Sequence, residues 1–498
     1  MTSFELDWLK RWNQYSPHNV AIKDGDSGRE ITYGQLFAAA CHGAAFLRDQ
    51  YEIKRGDRVV LLATNELESV FLFFALHRLG ATLVPVNFRL TKREVDHIVK
   101  DSDPALIVVQ EAFSSLVESH PQPKLLLQGL ASFGEEIADK AHAPKPCLDF
   151  VAEAEDAALL LYTSGTTGAP KGALLSHRML FWNSINTTMR LNINQNDSTV
   201  IFLPFFHTGG WNVLTTPFLH RGAKVIFLKK FDADQILTLS SKERCTLLFG
   251  VPTTMDMMAR SPLFKTCDLS TLRYAIVGGE PMPVDLIRTW DLKGIPVRQG
   301  YGLTEFGPNV FSLNEIDSIR KIGSIGFPNF YIDIKIVNDE GAAVSPGEIG
   351  ELILRGPMMM SGYWRNEKAT AETIRNGWLH TGDLVRQDAE GYVYVVGRKK
   401  DMFISGGENV YPPEIEQVLR QMPQIREVAV IGVADEKWGE VGKAFIVKET
   451  EVAVEDIQNH CAHNLAKFKI PKHFVFMKEL PKGDSGKILK RLLIETGA

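Results

Sequence analysis

Short apolar runs alternate with helical patterns along the first part of the chain. Residues 58–62 form an apolar run typical of a buried strand, residues 66–79 have apolar positions at helical spacing, and residues 82–86 again favour a strand. The same rhythm returns at residues 212–220, a predicted helix, and residues 222–228, a predicted strand. Strand, helix and strand in succession predict parallel sheets with crossover helices, an α/β fold.

The C-terminal part has a different pattern, with short elements of both kinds. We predict a helix at residues 414–420, strands at 428–433 and 443–447, a helix at 454–465 and a charged tail at 467–490. This set is enough for a small α+β domain with its own core. The charged stretch 397–401 is the predicted linker, so we expect a large N-terminal domain over residues 1–398 and a small C-terminal domain over residues 399–498.

The length of the chain agrees with two domains, and its net charge limits the kinds of partner that it can bind. The chain has 498 residues, 45% hydrophobic and 23% charged, which is more than one compact core usually holds. A formal net charge of −5 argues against a nucleic-acid or membrane-surface protein. The most apolar stretch, residues 70–86, is interrupted by His77, Arg78 and Pro85, so it predicts a buried helix and strand and no integral membrane segment. The N-terminus lacks the apolar core of a signal peptide, so we expect a cytoplasmic protein.

The cysteines favour a reducing compartment. They are odd in number and scattered, and none forms a CxxC pair. We therefore expect reduced, mostly buried thiols, and neither a disulfide framework nor a zinc site. The five positions are Cys41, Cys147, Cys245, Cys267 and Cys461.

A glycine-rich loop carries the first chemical signal. The apolar strand predicted at residues 157–162 runs directly into Thr163, Ser164, Gly165, Thr166, Thr167 and Gly168. Small side chains let such a loop direct backbone N–H and hydroxyl donors at phosphate oxygens, and Lys171 adds a positive charge beside it. A Walker A loop would need glycine before that lysine and serine or threonine after it, where this chain has Pro170 and Gly172. The loop therefore predicts a phosphate site of another class.

Further glycine, acidic and aromatic motifs follow along the chain. The turn Gly278-Gly279-Glu280-Pro281 comes directly after a predicted strand, where ligands bind in α/β sheets. The other segments are 205–211 (FFHTGGW), 299–305 (QGYGLTE), 378–383 (WLHTGD), 397–401 (GRKKD), 405–412 (SGGENVYP) and 480–488 (LPKGDSGKI). Taken singly, each is compatible with an ordinary turn, a packed aromatic or a solvated charge. They become evidence for a functional site because all of them occur on one chain.

Together these segments resemble the adenylate-forming superfamily, which contains acyl-CoA synthetases, peptide-synthetase adenylation domains and luciferases. The family's phosphate loop, (S/T)SG(S/T)TGxPKG, matches residues 163–172 at every fixed position, and the other motifs follow in the expected order over almost the whole chain. The resemblance implies an α/β N-terminal domain of parallel and mixed sheets and a small, mobile α+β C-terminal domain. It also implies ATP, Mg²⁺ and coenzyme A as cofactors or co-substrates.

The resemblance also implies roles for the nucleotide-binding residues. Glu305 is expected to ligate Mg²⁺, Thr304 to contact the α-phosphate and Tyr301 to stack near adenine. Asp383 is expected to bind both ribose hydroxyls, and Arg398 to reach the ribose or a phosphate. The remaining nucleotide-binding positions are those of the phosphate loop together with Gly279, Glu280 and Gly302.

Chemistry and movement are assigned by the same resemblance to the C-terminal part. Lys487 is expected to stabilise the negative charge that builds up when a carboxylate attacks the α-phosphate. Lys400 is expected to be the hinge about which the C-terminal domain rotates between adenylation and thioester formation. Gly407 is expected to line the channel for the pantetheine arm, where a side chain would obstruct the thiol.

The predicted function is that of an ATP-dependent acyl-CoA synthetase. Such an enzyme forms acyl-AMP and pyrophosphate, and then passes the acyl group to coenzyme A and releases AMP. The substrate is expected to be a small-molecule apolar acid, fatty or aromatic, because the pocket candidates hold no obvious charge for a second carboxylate. These candidates are His207, which would also gate the reacting carboxylate, with Trp211, Gly278, Gly279, Gly302 and Asn309. Asn309 either binds a polar substituent or packs.

Several alternatives stay open. A fatty-acyl-AMP ligase would stop at the adenylate or load a carrier protein. From another class, a nucleotide-binding regulator would bind ATP without turnover, and an NTPase would release phosphate. An amino-acid adenylation domain is disfavoured because Phe205-Phe206-His207 stands where an Asp would hold the substrate amine, and because no carrier domain is seen after Ala498. A luciferase is disfavoured because the chain lacks a terminal peroxisomal signal. The identity of the acid and the formation of a homodimer are left undecided.

Overall fold

The computed structural model describes residues 5–130, 147–163, 170–483 and 488–496. Contacts between Cα atoms divide the chain into two compact units. The first comprises Met1–Asp333 and Arg355–Leu379, and the second Ile334–Leu354 and His380–Ala498. The α/β prediction is confirmed, since helices alternate with parallel strands in the first unit. The expected boundary between residues 398 and 399 concerns movement and stays a prediction.

Helices and strands follow each other along the described ranges. The helices are α1 Trp8–Tyr15, α2 Tyr33–Tyr51, α3 Leu67–Leu79, α4 Lys92–Ser102, α5 His177–Arg190, α6 Thr215–Arg221, α7 Ala233–Lys242, α8 Pro252–Arg260, α9 Pro262–Thr266, α10 Val284–Leu292, α11 Glu367–Thr373, α12 Pro412–Leu419, α13 Val454–Asn464 and α14 Lys490–Thr496. The strands are β1 Val20–Asp24, β2 Glu30–Thr32, β3 Arg58–Leu62, β4 Thr82–Pro85, β5 Leu106–Val109, β6 Lys124–Leu126, β7 Ala157–Thr163, β8 Lys171–Ser176, β9 Ser198–Ile201, β10 Lys224–Phe227, β11 Leu247–Gly250, β12 Tyr274–Val277, β13 Val297–Tyr301, β14 Phe311–Ser312, β15 Phe327–Pro328, β16 Asp333–Val337, β17 Ile349–Arg355, β18 Gly362–Tyr363, β19 Ile374–Arg375, β20 Trp378–Gln387, β21 Val393–Arg398, β22 Phe403–Ser405, β23 Glu408–Val410, β24 Ile425–Asp435, β25 Gly439–Lys448 and β26 His473–Met477.

The strand–helix–strand prediction over residues 58–86 is confirmed by β3, α3 and β4. The helix α3 is buried along its whole length, so its apolar residues face protein on every side, and the prediction of a buried helix is confirmed. Gly80 caps its C-terminal end with a φ of 66°, the left-handed conformation that closes a helix and turns the chain back. Strands β3 and β4 then pair in parallel. No helix within the described ranges combines the length and apolar character needed to cross a bilayer.

Three sheets lie entirely within the part of the first unit that the structure describes. One has the order β18-β8-β7-β4-β3-β5-β6, parallel from β7 to β6 and antiparallel at the β7–β8 and β8–β18 pairs. A second has the order β11-β12-β13-β14-β15, in which the first three strands are parallel. The third has the order β2-β1-β10-β9. The helices α7, α8 and α10 contribute Ile236, Met255 and Trp290 to the apolar core beside β11 and β12.

The second unit has the predicted α+β character. Strands β22 to β26 form one sheet, and α12 and α13 pack on it through a core that includes Ile415, Val430 and Ile457. Strand β26, which pairs in parallel with β25, lies in the segment that the charge pattern predicts as a tail. The prediction was wrong there because β26 is short and flanked by lysines, so the alternation of apolar and polar residues typical of a strand was not apparent.

The expectation for the cysteines is corrected in one respect. Cys41, on α2, and Cys147 form a disulfide with their Cα atoms 4.9 Å apart, although 106 residues separate them in sequence. Sequence spacing cannot reveal such a long-range pair. The other cysteines are free thiols, with Cys245 and Cys461 buried and Cys267 partly exposed.

Candidate active site

The ends of three parallel strands build the first part of the site. In this sheet Gly250 of β11 is in register with Val277 of β12, and Val277 is in register with Gln299 of β13. The carboxyl ends of these strands therefore lie at one edge of the sheet. The predicted residues that follow the strands, Gly278–Gly279 and Gly302–Thr304, are brought together at that edge.

At two of these positions, the backbone leaves room or conformational freedom only for glycine. A Cβ atom on Gly302 would lie 1.7 Å from the carbonyl oxygen of Pro308, so no other residue fits without moving the chain. Gly279 has a φ of 87°, which side-chain-bearing residues rarely adopt. Small residues at the strand ends thus let the backbone turn sharply at the place where a ligand would approach.

A buried glutamine, Gln299, fixes the turn after β12; it opens the motif segment 299–305, but the sequence assigned it no role. The Nε2 group of Gln299 lies 3.3 Å from the carbonyl oxygens of both Val277 and Glu280. Its Oε1 atom accepts a hydrogen bond of 3.1 Å from the N–H of Met282. The turn containing Gly278 to Glu280 is therefore held at both ends by one amide that is only 5% exposed.

An apolar wall stands beside the predicted acyl-pocket residues. The ring of Phe249 lies 3.6 Å from the position of a Cβ atom on Gly209 and 3.7 Å from that of a Cβ atom on Gly278. Leu203 approaches the same position at Gly209 to 3.6 Å, and Val251 approaches the position at Gly279 to 3.6 Å. The pocket motifs therefore meet around apolar side chains that sequence reasoning missed, because Phe249 and Val251 read as ordinary strand and helix-start residues.

His207 lies in a turn next to this wall. Its N–H donates to the carbonyl oxygen of Pro204 at 3.1 Å, and its own carbonyl oxygen accepts from the N–H of Gly210 at 3.0 Å. The imidazole ring is partly exposed and packs on the ring of Phe206, with centroids 4.6 Å apart. The turn thus places His207 where a gating role is feasible, and that role stays a prediction.

Two pocket candidates make structural contacts. Trp211 has no exposed surface, and its ring stacks on Phe205 with centroids 4.3 Å apart. The Nδ2 group of Asn309 donates to Thr187 Oγ1 at 2.6 Å and lies 3.0 Å from the carbonyl oxygen of Asn212. Of the two readings for Asn309, the contacts favour packing over binding a substituent.

The predicted metal ligand contacts a tyrosine that the motifs did not include. Glu305 lies in a 3-10 helix at Thr304–Phe306, and its Oε1 atom accepts a hydrogen bond of 2.8 Å from the hydroxyl of Tyr363. Burial raises the pKa of Tyr363 above its ordinary value, and the charge of Glu305 raises it further, so the hydroxyl keeps its proton and donates a hydrogen bond to Glu305. Tyr301, at the end of β13, packs on Phe311 with ring centroids 5.9 Å apart.

The phosphate loop is described only at its two ends. Thr163 ends β7 and Lys171 begins β8, and the two residues face each other in antiparallel register. The predicted positions between them, from Ser164 to Gly168, lie outside the described residues. The Nζ atom of Lys171 lies 5.5 Å from the centroid of the Tyr363 ring, a cation–π distance.

The two residues predicted to bind ribose contact each other within the second unit. Asp383 on β20 and Arg398 on β21 are in register, and Arg398 Nε lies 2.9 Å from Asp383 Oδ1. The hydroxyl of Thr381 donates to the carbonyl oxygen of Leu352 at 2.7 Å and accepts from the N–H of Asp383 at 3.0 Å. Asp383 is 5% exposed, so a fixed carboxylate and a guanidinium lie side by side, and their binding to ribose stays a prediction.

A buried glutamate joins this motif to the expected linker. Glu351 accepts from the N–H of Gly382 at 3.2 Å and lies 3.5 Å from Lys399 Nζ. Lys399 also contacts Asp339 at 2.7 Å, and these two carboxylates raise its pKa. Lys400, the expected hinge, is the next residue and is exposed.

The remaining predicted residues of this unit are only partly described. Gly407 has a φ of 86° and no atom within 4 Å of a Cβ position, so the backbone conformation is what requires glycine there. Lys487 lies outside the described residues. On either side of it, Lys482 and Ile488 form an antiparallel bridge.

The donor set at Glu305 fits a magnesium ion that is bound mainly through substrate. No cluster of three or more His, Cys, Asp or Glu side chains that could hold a metal lies within the described ranges. Mg²⁺ is a hard cation that commonly takes one or two carboxylates and completes its shell with phosphate and water oxygens. Glu305 uses one carboxylate oxygen for Tyr363 and has a second to offer.

The fold and these motifs define the class of AMP-binding, adenylate-forming enzymes. The family model "AMP-binding enzyme" matches residues 9–364, and the model "AMP-binding enzyme C-terminal domain" matches residues 414–487. The chain belongs to this family, and it is an AMP-forming acyl-CoA synthetase.

Similar proteins cover almost the whole length of the chain. A feruloyl-CoA synthase of Amycolatopsis sp is 38% identical over 485 residues, 97% of each chain. A long-chain-fatty-acid–CoA ligase of Mycobacterium tuberculosis is 36% identical over 501 residues, 98% of each chain. The structure of o-succinylbenzoate CoA synthetase from Bacillus subtilis with its acyl-adenylate intermediate superposes with a TM-score of 0.89 at 31% identity, over 99% of this chain and 98% of that one. Another structure of that enzyme contains ATP and a magnesium ion.

Proposed function

We propose that the chain ligates an apolar carboxylic acid, aromatic or long-chain aliphatic, to coenzyme A. The observation that carries this proposal is the apolar wall, in which the Phe249 ring lies between Gly209 and Gly278. Apolar side chains bind an apolar substrate by removing its surface from water, whereas a second carboxylate would need a charged partner. Two of the relatives agree in kind, since their names give ferulate and long-chain fatty acids as substrates, whereas the enzyme named for o-succinylbenzoate takes an acid with two carboxylates.

Adenylation solves a leaving-group problem. Direct attack of a thiol on a carboxylate would have to expel oxide. In the proposed first step a carboxylate oxygen attacks the α-phosphorus of ATP, and the bond to pyrophosphate breaks, giving acyl-AMP. Thr304, in the 3-10 helix that follows β13, and Lys171, at the start of β8, are proposed to bind phosphate oxygens, and Lys487 to stabilise the charge of the transition state.

Glu305 is the residue proposed to hold Mg²⁺. When bound with the nucleotide, the ion supplies positive charge that offsets the phosphates. Asp383 is proposed to accept hydrogen bonds from the ribose hydroxyls, because its carboxylate is fixed by Arg398 and by its own backbone contact to Thr381. These contacts orient the nucleotide and leave the bond changes to the substrates.

The second step joins the thiol to the acyl group. The thiolate of coenzyme A attacks the carbonyl carbon of acyl-AMP, the carbon–oxygen bond to AMP breaks, and AMP leaves as the phosphate anion. Gly407 is proposed to line the channel through which the pantetheine arm reaches the site. Rotation of the C-terminal domain about Lys400 is proposed to bring this channel to the adenylate. The position of Lys400 supports this role, because it lies in the short segment between β21 and β22, and hinges fall in loops or at the ends of elements.

Acid-dependent exchange of labelled pyrophosphate into ATP tests the proposal. A panel of hydroxycinnamic, phenylacetic, long-chain and dicarboxylic acids is expected to give exchange with aromatic or long-chain monoacids and none with dicarboxylates. Thioester formation on adding coenzyme A separates a CoA ligase from an enzyme that stops at the adenylate. No exchange with any acid, or release of phosphate in place of pyrophosphate, contradicts the proposal.

Replacing Gly278 with a larger residue is expected to reduce the size of the largest acid that the pocket accepts. A Cβ atom there makes only ordinary contact with Phe249, so Gly278→Ala should fold and Gly278→Leu should fill space along the wall. We expect KM for the largest active acid to rise roughly tenfold in Gly278→Leu, equivalent to about 1.4 kcal/mol of lost binding, with a smaller rise in Gly278→Ala. KM for a short acid and for ATP is expected to stay unchanged. A parallel rise for all acids would place Gly278 outside the acyl pocket.

A further inference from the structure

The side chain of Tyr363 connects two parts of the proposed nucleotide site that lie far apart in sequence. Its hydroxyl donates to Glu305 Oε1 at 2.8 Å, and its ring lies 5.5 Å from Lys171 Nζ. Lys171 ends the phosphate loop, and Glu305 is the proposed ligand of Mg²⁺. One aromatic residue therefore contacts a cation and an anion that would act on the same triphosphate.

The backbone holds Tyr363 firmly in this place. Tyr363 lies on β18, which pairs with β8 so that Tyr363 faces Ala173. Its N–H donates to the hydroxyl of Thr370 at 2.9 Å, and the N–H of Trp364 donates to the carbonyl oxygen of Gly172 at 2.8 Å. The ring thus extends from a hydrogen-bonded strand, and these backbone contacts restrict the movement of Tyr363 relative to β8.

We propose that Tyr363 is a positioning residue that orients the Glu305 carboxylate toward Mg²⁺ and seats Lys171 beside the phosphates. A hydrogen bond to Oε1 fixes the rotation of the carboxylate and keeps the other oxygen, Oε2, available to the cation. The face of the ring attracts the ammonium group and so restricts its position. The inference rests on the proposed roles of Glu305 and Lys171 in binding Mg²⁺-ATP.

Two substitutions separate the hydroxyl from the ring. Tyr363→Phe removes only the hydrogen bond to Glu305, and Tyr363→Leu also removes the ring beside Lys171. The matched control is Tyr162→Phe, because Tyr162 is another half-buried tyrosine of the same sheet whose hydroxyl donates to a carboxylate, that of Asp101, at 2.5 Å.

Calorimetric titration of the full chain with ATP, in excess MgCl₂ and in EDTA, measures the two roles without acid or coenzyme A. For Tyr363→Phe we expect the Mg²⁺-dependent gain in ATP affinity to fall roughly tenfold, the size of one hydrogen bond to a charged group, with affinity in EDTA unchanged. Tyr363→Leu is expected to weaken binding in EDTA as well. Tyr162→Phe is expected to match the wild type in both buffers.

An unchanged Mg²⁺-dependent gain in Tyr363→Phe overturns the positioning role, as does an equal loss in Tyr162→Phe. Thr370→Val keeps the side-chain shape and removes the acceptor of the Tyr363 N–H, so a smaller loss in the same direction is expected even if Tyr363→Phe folds poorly. A wild-type chain that binds Mg²⁺-ATP but exchanges no pyrophosphate refutes the proposed function alone. The two failures are therefore distinguishable.

Discussion

At the scale of single residues, uncharged polar side chains that hold a backbone turn or a carboxylate in place define the site as much as the residues with assigned roles do. Gln299 holds the turn after β12 through contacts with Val277, Glu280 and Met282. Tyr363 does the same for the Glu305 carboxylate. Neither residue carries charge or reacts, but each fixes a group that is proposed to contact substrate.

Replacing Gln299 with leucine is expected to destabilise the first unit and loosen the nucleotide site. The change leaves the N–H of Met282 and the carbonyl oxygen of Glu280 without their buried partner, at a cost of about 1–3 kcal/mol each when unsatisfied. We expect a lower urea midpoint and a raised KM for ATP, with Gln195→Leu, an exposed glutamine, as the control. An unchanged KM would show that the turn keeps its shape without the amide.

At the scale of elements, four helices of the first unit meet around aromatic and histidine rings. His77 of α3 stacks on His177, the first residue of α5, with centroids 4.1 Å apart. His220 of α6 stacks on Trp8 of α1 at 4.2 Å. Burial lowers the pKa of His177 to about 4 and that of His220 to about 3, and it also lowers the pKa of His77.

This cluster is expected to make the first unit sensitive to acid. The unfolded histidines take up protons near pH 6.5 and the folded His177 only near pH 4, so the unfolded state binds more protons in between. The free energy of unfolding should therefore fall as the pH drops from about 6.5 toward 4, by about 2 kcal/mol at pH 5 from His177 alone. Urea unfolding at pH 7.5 and pH 5 measures the effect. His177→Phe should lose less stability between these two pH values than the wild type, and an identical loss would contradict the assignment.

At the scale of the whole molecule, each unit has its own core, and a covalent link lies inside the first. The disulfide joins Cys41 to Cys147 across 106 residues. Closing a loop on the order of 100 residues removes about 4.7 kcal/mol of conformational freedom from the unfolded chain in the entropy model. The link therefore ties the segment that precedes β7 to α2.

A thiol titration tests the link directly. In guanidinium without reductant we expect three reactive thiols, those of Cys245, Cys267 and Cys461, and five after reduction. Cys41→Ser should expose one more thiol before reduction than the wild type, because its partner Cys147 is released. Five thiols in the unreduced, denatured protein would show that the two cysteines are not bonded.

Much of the architecture could be predicted because it depends on local pattern. The strand at β3, the buried helix α3 and the parallel strand β4 follow from apolar periodicity, and the motif residues of the strand ends follow from glycine content. Phe249 and Tyr363 could not be predicted in the same way. Each occupies an ordinary strand position, and only pairing between distant segments brings it to Gly278 or Glu305.

The sequence by itself determined the α/β class, the enzyme family and the order of the site motifs, because each depends on residue types at short spacing. Only the tertiary structure decided which neighbours complete those motifs. The amide of Gln299, the hydroxyl of Tyr363, the ring of Phe249 and the bond between Cys41 and Cys147 all act across long sequence separations. Folding sets these distances, and no local pattern encodes them.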